Sequence, residues 1–382
     1  MSGISWRTAG ESHGRALVAI LEGLPAGMPL DVSRIDAELV RRQGGYGRGG
    51  RMKIESDHVE LLSGLRAGCT LGSPIALSIA NRDQTIERLP VPGNPRPGHA
   101  DLAGCQKLGV RDPRAVLERA SARETAARVA LGAIARQLLE GFGVEIFAHV
   151  VELGPLSART DAFEAAGAKR RGLRDSSEFC GLDPSLEVPW RELVDATKTA
   201  GDSLGGVFEV RVMGLPPGLG SYHSGPERLT ARLGAALFSI PAIKGVEVGL
   251  GFESARRPGS QVHDPIVRAA EGSLFGRFAR ASNRAGGLEG GMTTGEPLLL
   301  RAAMKPIPSL RMGLPTVDFA SGEAVQATYQ RSDVTSVPAC SVVGEAVVAL
   351  VLADAFLQKF SGDSLAQVRG AFEAYCRRLA DL

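Results

Sequence analysis

His13 and His99 are the residues best suited by type and setting to move a proton near neutral pH. Each follows a small residue in a turn-like stretch, with Glu11 near the first and Arg96 near the second. A loop histidine beside glycine and charge suits a general acid or base, and the plainer alternative is a hydrogen-bonded structural role. His58 lies in a polar turn and His149 in an apolar run, so both read as structural; His223 and His263 complete the set. No pair has the HxH or HExxH spacing of metal ligands, so no metal site is expected. Arginine offers a second chemistry. The 44 basic residues divide into 37 Arg and 7 Lys. Biased codon usage accounts for most of that excess, but guanidinium is also the group that grips phosphates and carboxylates bidentately. Arg42, Arg48 and Arg51 crowd the glycine loop Gly45-Tyr-Gly47-Arg-Gly-Gly50, a candidate anion clamp.

Other motifs fail on context. The same loop satisfies GxGxxG, but that pattern binds dinucleotides only after a strand and before a helix. Here a helical stretch, Asp31 to Gln43, precedes it and a strand-like Arg51 to Glu55 follows. No GK dipeptide exists, so there is no Walker A loop. Gly10-Glu-Ser12-His-Gly14 and Gly201-Asp-Ser203-Leu-Gly205 match the hydrolase elbow GxSxG. The first comes before any sheet could carry it, and no histidine follows an Asp by three residues to serve the second.

The elements that must position these residues belong to an α+β protein. The chain has 382 residues, enough for one large domain or two ordinary ones, with 44% hydrophobic and 23% charged residues. Its net charge of +2 argues against a nucleic-acid footprint. Cys69, Cys105, Cys180, Cys340 and Cys376 are scattered and never form CxxC, so a reducing cytoplasm is expected. Trp6, Arg7 and Glu11 occupy the place of a signal-peptide core, and the longest apolar run, Ala346 to Ala353, is too short to span a membrane. Capping boxes predict helices starting at Ser33, Ser121 and Ser224. Alternation predicts strands at Val207 to Val212 and Leu298 to Ala302. Gly143-Val-Glu-Ile146 after the Ser121 helix and Gly245-Val-Glu-Val248 after the Ser224 helix echo each other about 100 residues apart, a helix-then-strand unit met twice. The stretch 156–189, mixed in charge and weakly periodic, reads as an excursion.

Taken in order, the segments resemble chorismate synthase. They are Gly10-Glu-Ser-His13-Gly14, Arg41 to Gly49, Arg96-Pro-Gly-His99-Ala-Asp101, Leu117 to Ala126, Lys244-Gly-Val-Glu247, Asn283 to Met292, Met304 to Ser309, and Arg331-Ser-Asp333-Val. Gln84 and Thr294 depart from residues common in that family. The resemblance implies a single domain over residues 1–382, with helices sandwiched between antiparallel sheets, assembled as a cytoplasmic homotetramer. It implies conversion of 5-enolpyruvylshikimate 3-phosphate to chorismate by 1,4-anti elimination of phosphate in the shikimate pathway. Reduced FMN is the implied cofactor, and NADPH its reductant if the protein reduces its own flavin. No Rossmann unit exists to carry NADPH, which favours an external reductase. Arg42 and Arg48 match positions for the phosphorylated substrate or NADPH. Arg119, Ala120, Ser121, Pro241, Ala242, Gly290, Lys305, Pro306, Ile307, Pro308, Ser309 and Arg331 match flavin-contacting positions. By the same resemblance His13 protonates the departing phosphate, His99 stands near flavin N1, and Asp333 serves the C6 proton by way of flavin N5. No membrane or nucleic-acid partner is implied. The competing reading is a non-catalytic flavin- or phosphometabolite-binding protein on the same scaffold; the presence of both histidines and Asp333 argues against it.

Overall fold

The structure, a computed structural model, describes residues 3–49, 55–329 and 333–381. Arg51 of the glycine loop and Arg331 lie outside the described residues. Two antiparallel sheets enclose a layer of helices. The first sheet joins β1 (Ser5–Ala9), β2 (Ala16–Glu22), β3 (Val59–Leu61) and, after the small hairpin β4 (Leu65–Arg66)–β5 (Cys69–Thr70), β6 (Ile75–Ala80), in the order β1-β2-β6-β3. Strict alternation buries Leu17, Ala19 and Leu21 of β2 and Ile75, Leu77 and Ile79 of β6, while Val18 and Ile20 face outward.

The second sheet is built from β7 (Glu145–Leu153), β8 (Leu156–Ser157), β9 (Gly206–Met213), β10 (Ile243–Val248) and β15 (Leu298–Met304), in the order β10-β15-β9-β7-β8. Besides β4–β5, the described residues form three more hairpins outside the two sheets: β11 (Ile266–Arg268) with β12 (Phe278–Arg280), β13 (Leu288–Glu289) with β14 (Met292–Thr293), and β16 (Pro315–Val317) with β17 (Ala324–Gln326). Both strands predicted from alternation are present, each longer than predicted.

Between the sheets run α1 (Val32–Gln43), α4 (Thr125–Glu140), α8 (Leu229–Phe238) and α9 (Val337–Lys359); α2 (Asp101–Leu108) and α3 (Arg114–Ala120) precede α4. The stretch predicted as an excursion forms α5 (Ala162–Ala166), α6 (Arg170–Ser176) and the start of α7 (Glu187–Ala200), and α10 (Leu365–Asp381) ends the chain. The fold is α+β, with helices between antiparallel sheets. The echo noted in the sequence corresponds to α4–β7 and α8–β10, whose strands flank the central β9–β15 pair of one sheet.

Helix α9 corrects the apolar run read as eight residues. It has 23 residues and is long and apolar enough by length and composition to cross a membrane, yet 89% of its most apolar window is buried inside the protein. A helix apolar on every side belongs in a core. Its crossing with α4 is close because Gly132 has no side chain: a Cβ there would stand 2.4 Å from the Ala346 Cα. Two predicted helix starts also shift. Asp31 caps α1 by accepting from the Ser33 N–H at 2.9 Å. Ser224 opens a turn rather than α8, which begins at Leu229 after Pro226 with no side-chain cap. Ser121 does cap its segment, a short 3₁₀ turn leading into α4.

One buried polar hub pins the helical layer. Glu345 of α9 accepts from Arg41 of α1 at 2.8 Å, from Arg174 of α6 at 3.0 Å and from the Ala148 N–H at 2.6 Å, with Arg136 of α4 at 3.6 Å. Burial alone would raise its pKa, but the three guanidinium groups outweigh that and hold it well below the usual range. Removing this carboxylate would take the shared acceptor from three guanidinium groups, although Arg41 and Arg136 keep Glu38, Arg136 keeps Glu140 and Arg174 keeps Asp175.

Candidate active site

The turn between β1 and β2 carries His13. Its ring Nδ1 lies 2.9 and 3.1 Å from the two carboxylate oxygens of Glu118 on α3, and its backbone N–H donates to the same carboxylate at 3.0 Å. A carboxylate can only accept, so Nδ1 carries the proton and Nε2 is left for chemistry, 3.9 Å from Asp83. Glu118 is 2% exposed, whereas the His13 side chain keeps 21% of its surface. Burial would raise the Glu118 pKa; the hydrogen bonds and charge from His13, together with Arg114 at 2.9 Å, lower it instead. Around this pair the Ser121 hydroxyl donates to Ser12 at 3.1 Å, and Arg119 reaches the carbonyls of Gly10 and Thr8 at 3.0 and 2.9 Å. Ala120 joins them as the last residue of α3.

His99 stands just before α2. Its Nδ1 is 2.5 Å from Asp101, which Arg96 grips through two side-chain nitrogens at 2.8 and 3.0 Å and its backbone N–H at 3.1 Å. Arg96 also lies 3.0 Å from Nδ1, but the carboxylate claims the proton there, so Nε2 is again the free nitrogen. Burial works to raise the Asp101 pKa, but its bonds to His99 and Arg96 carry it well below the usual carboxylate range. Arg96 reaches Ser309 at 3.4 Å, and the Lys305 ammonium donates to the Gly98 carbonyl. The loop from Lys305 through Pro306, Ile307 and Pro308 to Ser309 is therefore the neighbour of His99. Its backbone is anchored twice: the Lys305 N–H donates to Ala242 at 2.9 Å, and the Ser203 hydroxyl donates to Ile307 at 2.7 Å. Ala242, beside Pro241, has φ of +72°, a left-handed conformation that costs a non-glycine residue on the order of 1–2 kcal/mol. Burial, then the like charge of Lys244, lowers the Lys305 pKa.

The third cluster lies at the end of α1. Arg48 pairs with Asp333 at 3.0 Å, and Asp333 accepts from the Gly49 N–H and the Ser336 hydroxyl, each at 2.5 Å. Arg42 is buried and pairs with Asp57 at 2.9 Å; Asp57 also takes Arg123 at 2.6 and 2.8 Å. Burial lowers the Arg42 pKa, Asp57 opposes this, and Arg123 and Arg48 add to it as like charges. Arg123 continues to Asn81 at 2.9 Å, whose amide holds the carbonyls of Glu11 and Gly14 on either side of His13. Arg42 is thus tied, through Asp57, Arg123 and Asn81, to the turn that carries His13.

The structure therefore joins Arg119 and Ser121 to the His13 turn, and Ala242, Lys305 and Ser309 to His99. It pairs Arg48 with Asp333. Gly290, at φ +58°, sits apart in the β13–β14 turn. A cavity of about 460 Å³ lined by His263, Asp264, Arg284 and Glu289 contains none of the predicted residues. Sequence reasoning missed Glu118, Asp57 and Asn81 and gave Asp101 no role. Only Asp101 had a local signal, two residues from His99.

Comparisons with known proteins agree with one another. The chorismate synthase family model matches residues 4–357. The chorismate synthase of Trichlorobacter lovleyi is 53% identical over 390 residues, covering 98% of this chain and 99% of the relative. That of Pelobacter propionicus is 52% identical, covering 99% and 100%. A crystal structure of chorismate synthase superimposes with a TM-score of 0.82 at 42% identity, covering 100% of this chain and 99% of the other. The chain belongs to the chorismate synthase family.

Proposed function

We propose that the chain catalyses 1,4-anti elimination of phosphate from 5-enolpyruvylshikimate 3-phosphate, with reduced FMN bound beside the substrate. It is a phosphate-eliminating lyase, and chorismate formation in the shikimate pathway is the role of its family. The observation that carries the mechanism is the matched state of two histidines, each with Nδ1 held by a buried carboxylate and Nε2 available. His13 gives its proton to the departing phosphate, His99 guards the protonation state of the flavin, and Asp333 takes part in removing the C6 proton. Arg48 neutralises the substrate phosphate; Arg42, matched with it to the substrate or NADPH, is buried against Asp57 and serves that network instead.

The residues fit a bound flavin phosphate on their own chemistry: an anion beside Lys305 would relieve its repulsion from Lys244. Arg119, Ala120, Ser121, Pro241, Ala242, Gly290, the Lys305 to Ser309 loop and Arg331 would hold the cofactor. When bound there, reduced FMN would supply transient electron density for breaking the C3–O bond. An external reductase provides it, in the cytoplasm, and the working enzyme is a homotetramer. The large exposure of Phe252 (71%) and Ile266 (69%) supports burial against other copies.

The test is anaerobic incubation of protein, substrate and reduced FMN, with chorismate as the expected product. Absence of chorismate from folded, flavin-bound protein would overturn the reading. NADPH consumption by the isolated protein with FMN would overturn the external reductase, and sedimentation as a monomer would overturn the tetramer.

A further inference from the structure

Glu118 is buried, charged and distant in sequence from the residue it serves, and the elimination chemistry itself gives it no part. We propose that Glu118 is a positioning residue for the reaction. It fixes His13 with one proton on Nδ1, so that Nε2 alone delivers the acid proton. This rests on the reading of His13 as the acid for the leaving phosphate.

Both the ring and the backbone of His13 are gripped by one carboxylate, through Nδ1 and the main-chain N–H. The same residue's carbonyl accepts the Ser12 N–H at 3.0 Å, so α3 sets the path of the turn as well as the ring. Arg114, one helical turn earlier, holds Oε1 at 2.9 Å and keeps the carboxylate from rotating away. The charged groups facing His13 are Glu118 and, behind it, Arg114, both from α3, and Asp83 from the loop after β6. During the step the proton passes from Nε2 to a phosphate oxygen as the C–O bond breaks. The ring is left neutral, with its remaining proton on Nδ1 against Glu118.

The contrast with His149 shows that this is not simply how the chain pairs a histidine with a carboxylate. There both partners are 2% exposed, the contact to Glu209 at 3.3 Å uses Nε2, and Nδ1 is enclosed without a partner. That pair is sealed; the His13 pair turns its second nitrogen outward.

The experiment is a double-mutant cycle on the full-length enzyme with reduced FMN. Glu118→Gln keeps the shape of the side chain and should lower kcat at least ~10-fold with KM changed less than about two-fold, since orienting carboxylates act on the reacting imidazole and not on substrate affinity. In a His13→Ala background the same change should alter kcat less than about two-fold, because nothing is left to orient. Equal losses in both backgrounds, or a raised KM with unchanged kcat, would overturn the proposal. If Glu118→Gln does not fold, Arg114→Ala replaces it, with a smaller loss expected that again vanishes beside His13→Ala; an equal loss in both backgrounds overturns the proposal here too. Unimpaired turnover by His13→Ala would remove the acid reading itself. Slow turnover there, with additive effects at Glu118, would remove only the positioning role.

Discussion

His99 and His13 are held in the same chemical state by opposite routes. Asp101 lies two residues beyond His99, and Arg96 three before it, so the trio can assemble within one turn of chain. Glu118 is 105 residues from His13 and meets it only once α3 has packed beneath the β1–β2 turn. A local pair keeps its partners near each other even before folding. A distant pair reports whether two elements are correctly docked. The proposed proton donor to the leaving group therefore depends on tertiary structure, while the proposed flavin-side histidine carries its own orienting group.

Breaking the distant pair should have the largest effect. His13→Ala removes the acid, and kcat should fall roughly 10²–10⁴-fold, the usual contribution of a positioned proton donor. Unchanged kcat would make the pair structural and end the comparison. Next is Arg48, whose carboxylate partner Asp333 orients no histidine. Arg48→Ala should cost about 1.5–3 kcal/mol in kcat/KM, the scale of one charged hydrogen bond, while flavin binding without substrate stays the same. Loss of flavin with normal substrate binding would reassign the loop. Smaller still is Asp101→Asn. It should lower kcat roughly 10-fold, as loss of an orienting partner does, and change the anaerobic spectrum of bound reduced flavin. Glu118→Gln should leave that spectrum untouched. If the spectral change follows Glu118 and not Asp101, the two histidines have exchanged roles.

The same division between local and distant explains what the sequence disclosed. Strands β9 and β15 were legible because alternation is a property of neighbours: Phe208, Val210 and Val212 point in, as do Leu298, Leu300 and Ala302. Helix α9 was underestimated because, apolar on all sides, it offers no polar stripe to count by. The cap of α1 was assigned to the wrong residue because Asp31 and Ser33 are both good caps, and Asp31 takes the Ser33 N–H for itself. Both histidines were visible from their turns; Asp101 was given no role, although its nearness to His99 was a local signal. Glu118 was not. On a seven-residue helix with Arg114 four residues earlier, it reads as half of an exposed ion pair, and only the docking of the β1–β2 turn buries it. Asp57 and Asn81 were hidden for the same reason, since their partners Arg42 and Arg123 come from other elements.

The third pair, His149 with Glu209, supplies the smallest effect on catalysis and the control for the other two. It sits on the face of the second sheet, where Glu209 also accepts from Arg211 at 2.6 Å and Arg301 at 2.9 Å. Burial would raise the Glu209 pKa, but His149 and Arg211 outweigh it and bring it down to about 2 from an ordinary 4.5. A carboxylate lowered in this way stabilises the fold above its unfolded pKa, and that contribution is lost as pH falls through the folded one. Stability should therefore drop between about pH 4.5 and about pH 2. His149→Ala removes one partner from a buried acceptor and should cost about 1–3 kcal/mol at neutral pH. The deficit should narrow as pH falls through about 2, where the carboxylate becomes protonated in the parent as well. Denaturant unfolding at a series of pH values reads both effects. Turnover per folded molecule should equal that of the parent, because no group in this pair faces the His13 or His99 clusters. A folded His149→Ala enzyme that turned over slowly would show that the sealed pair reaches the chemistry after all, and the outward-facing Nε2 would no longer distinguish the working histidines.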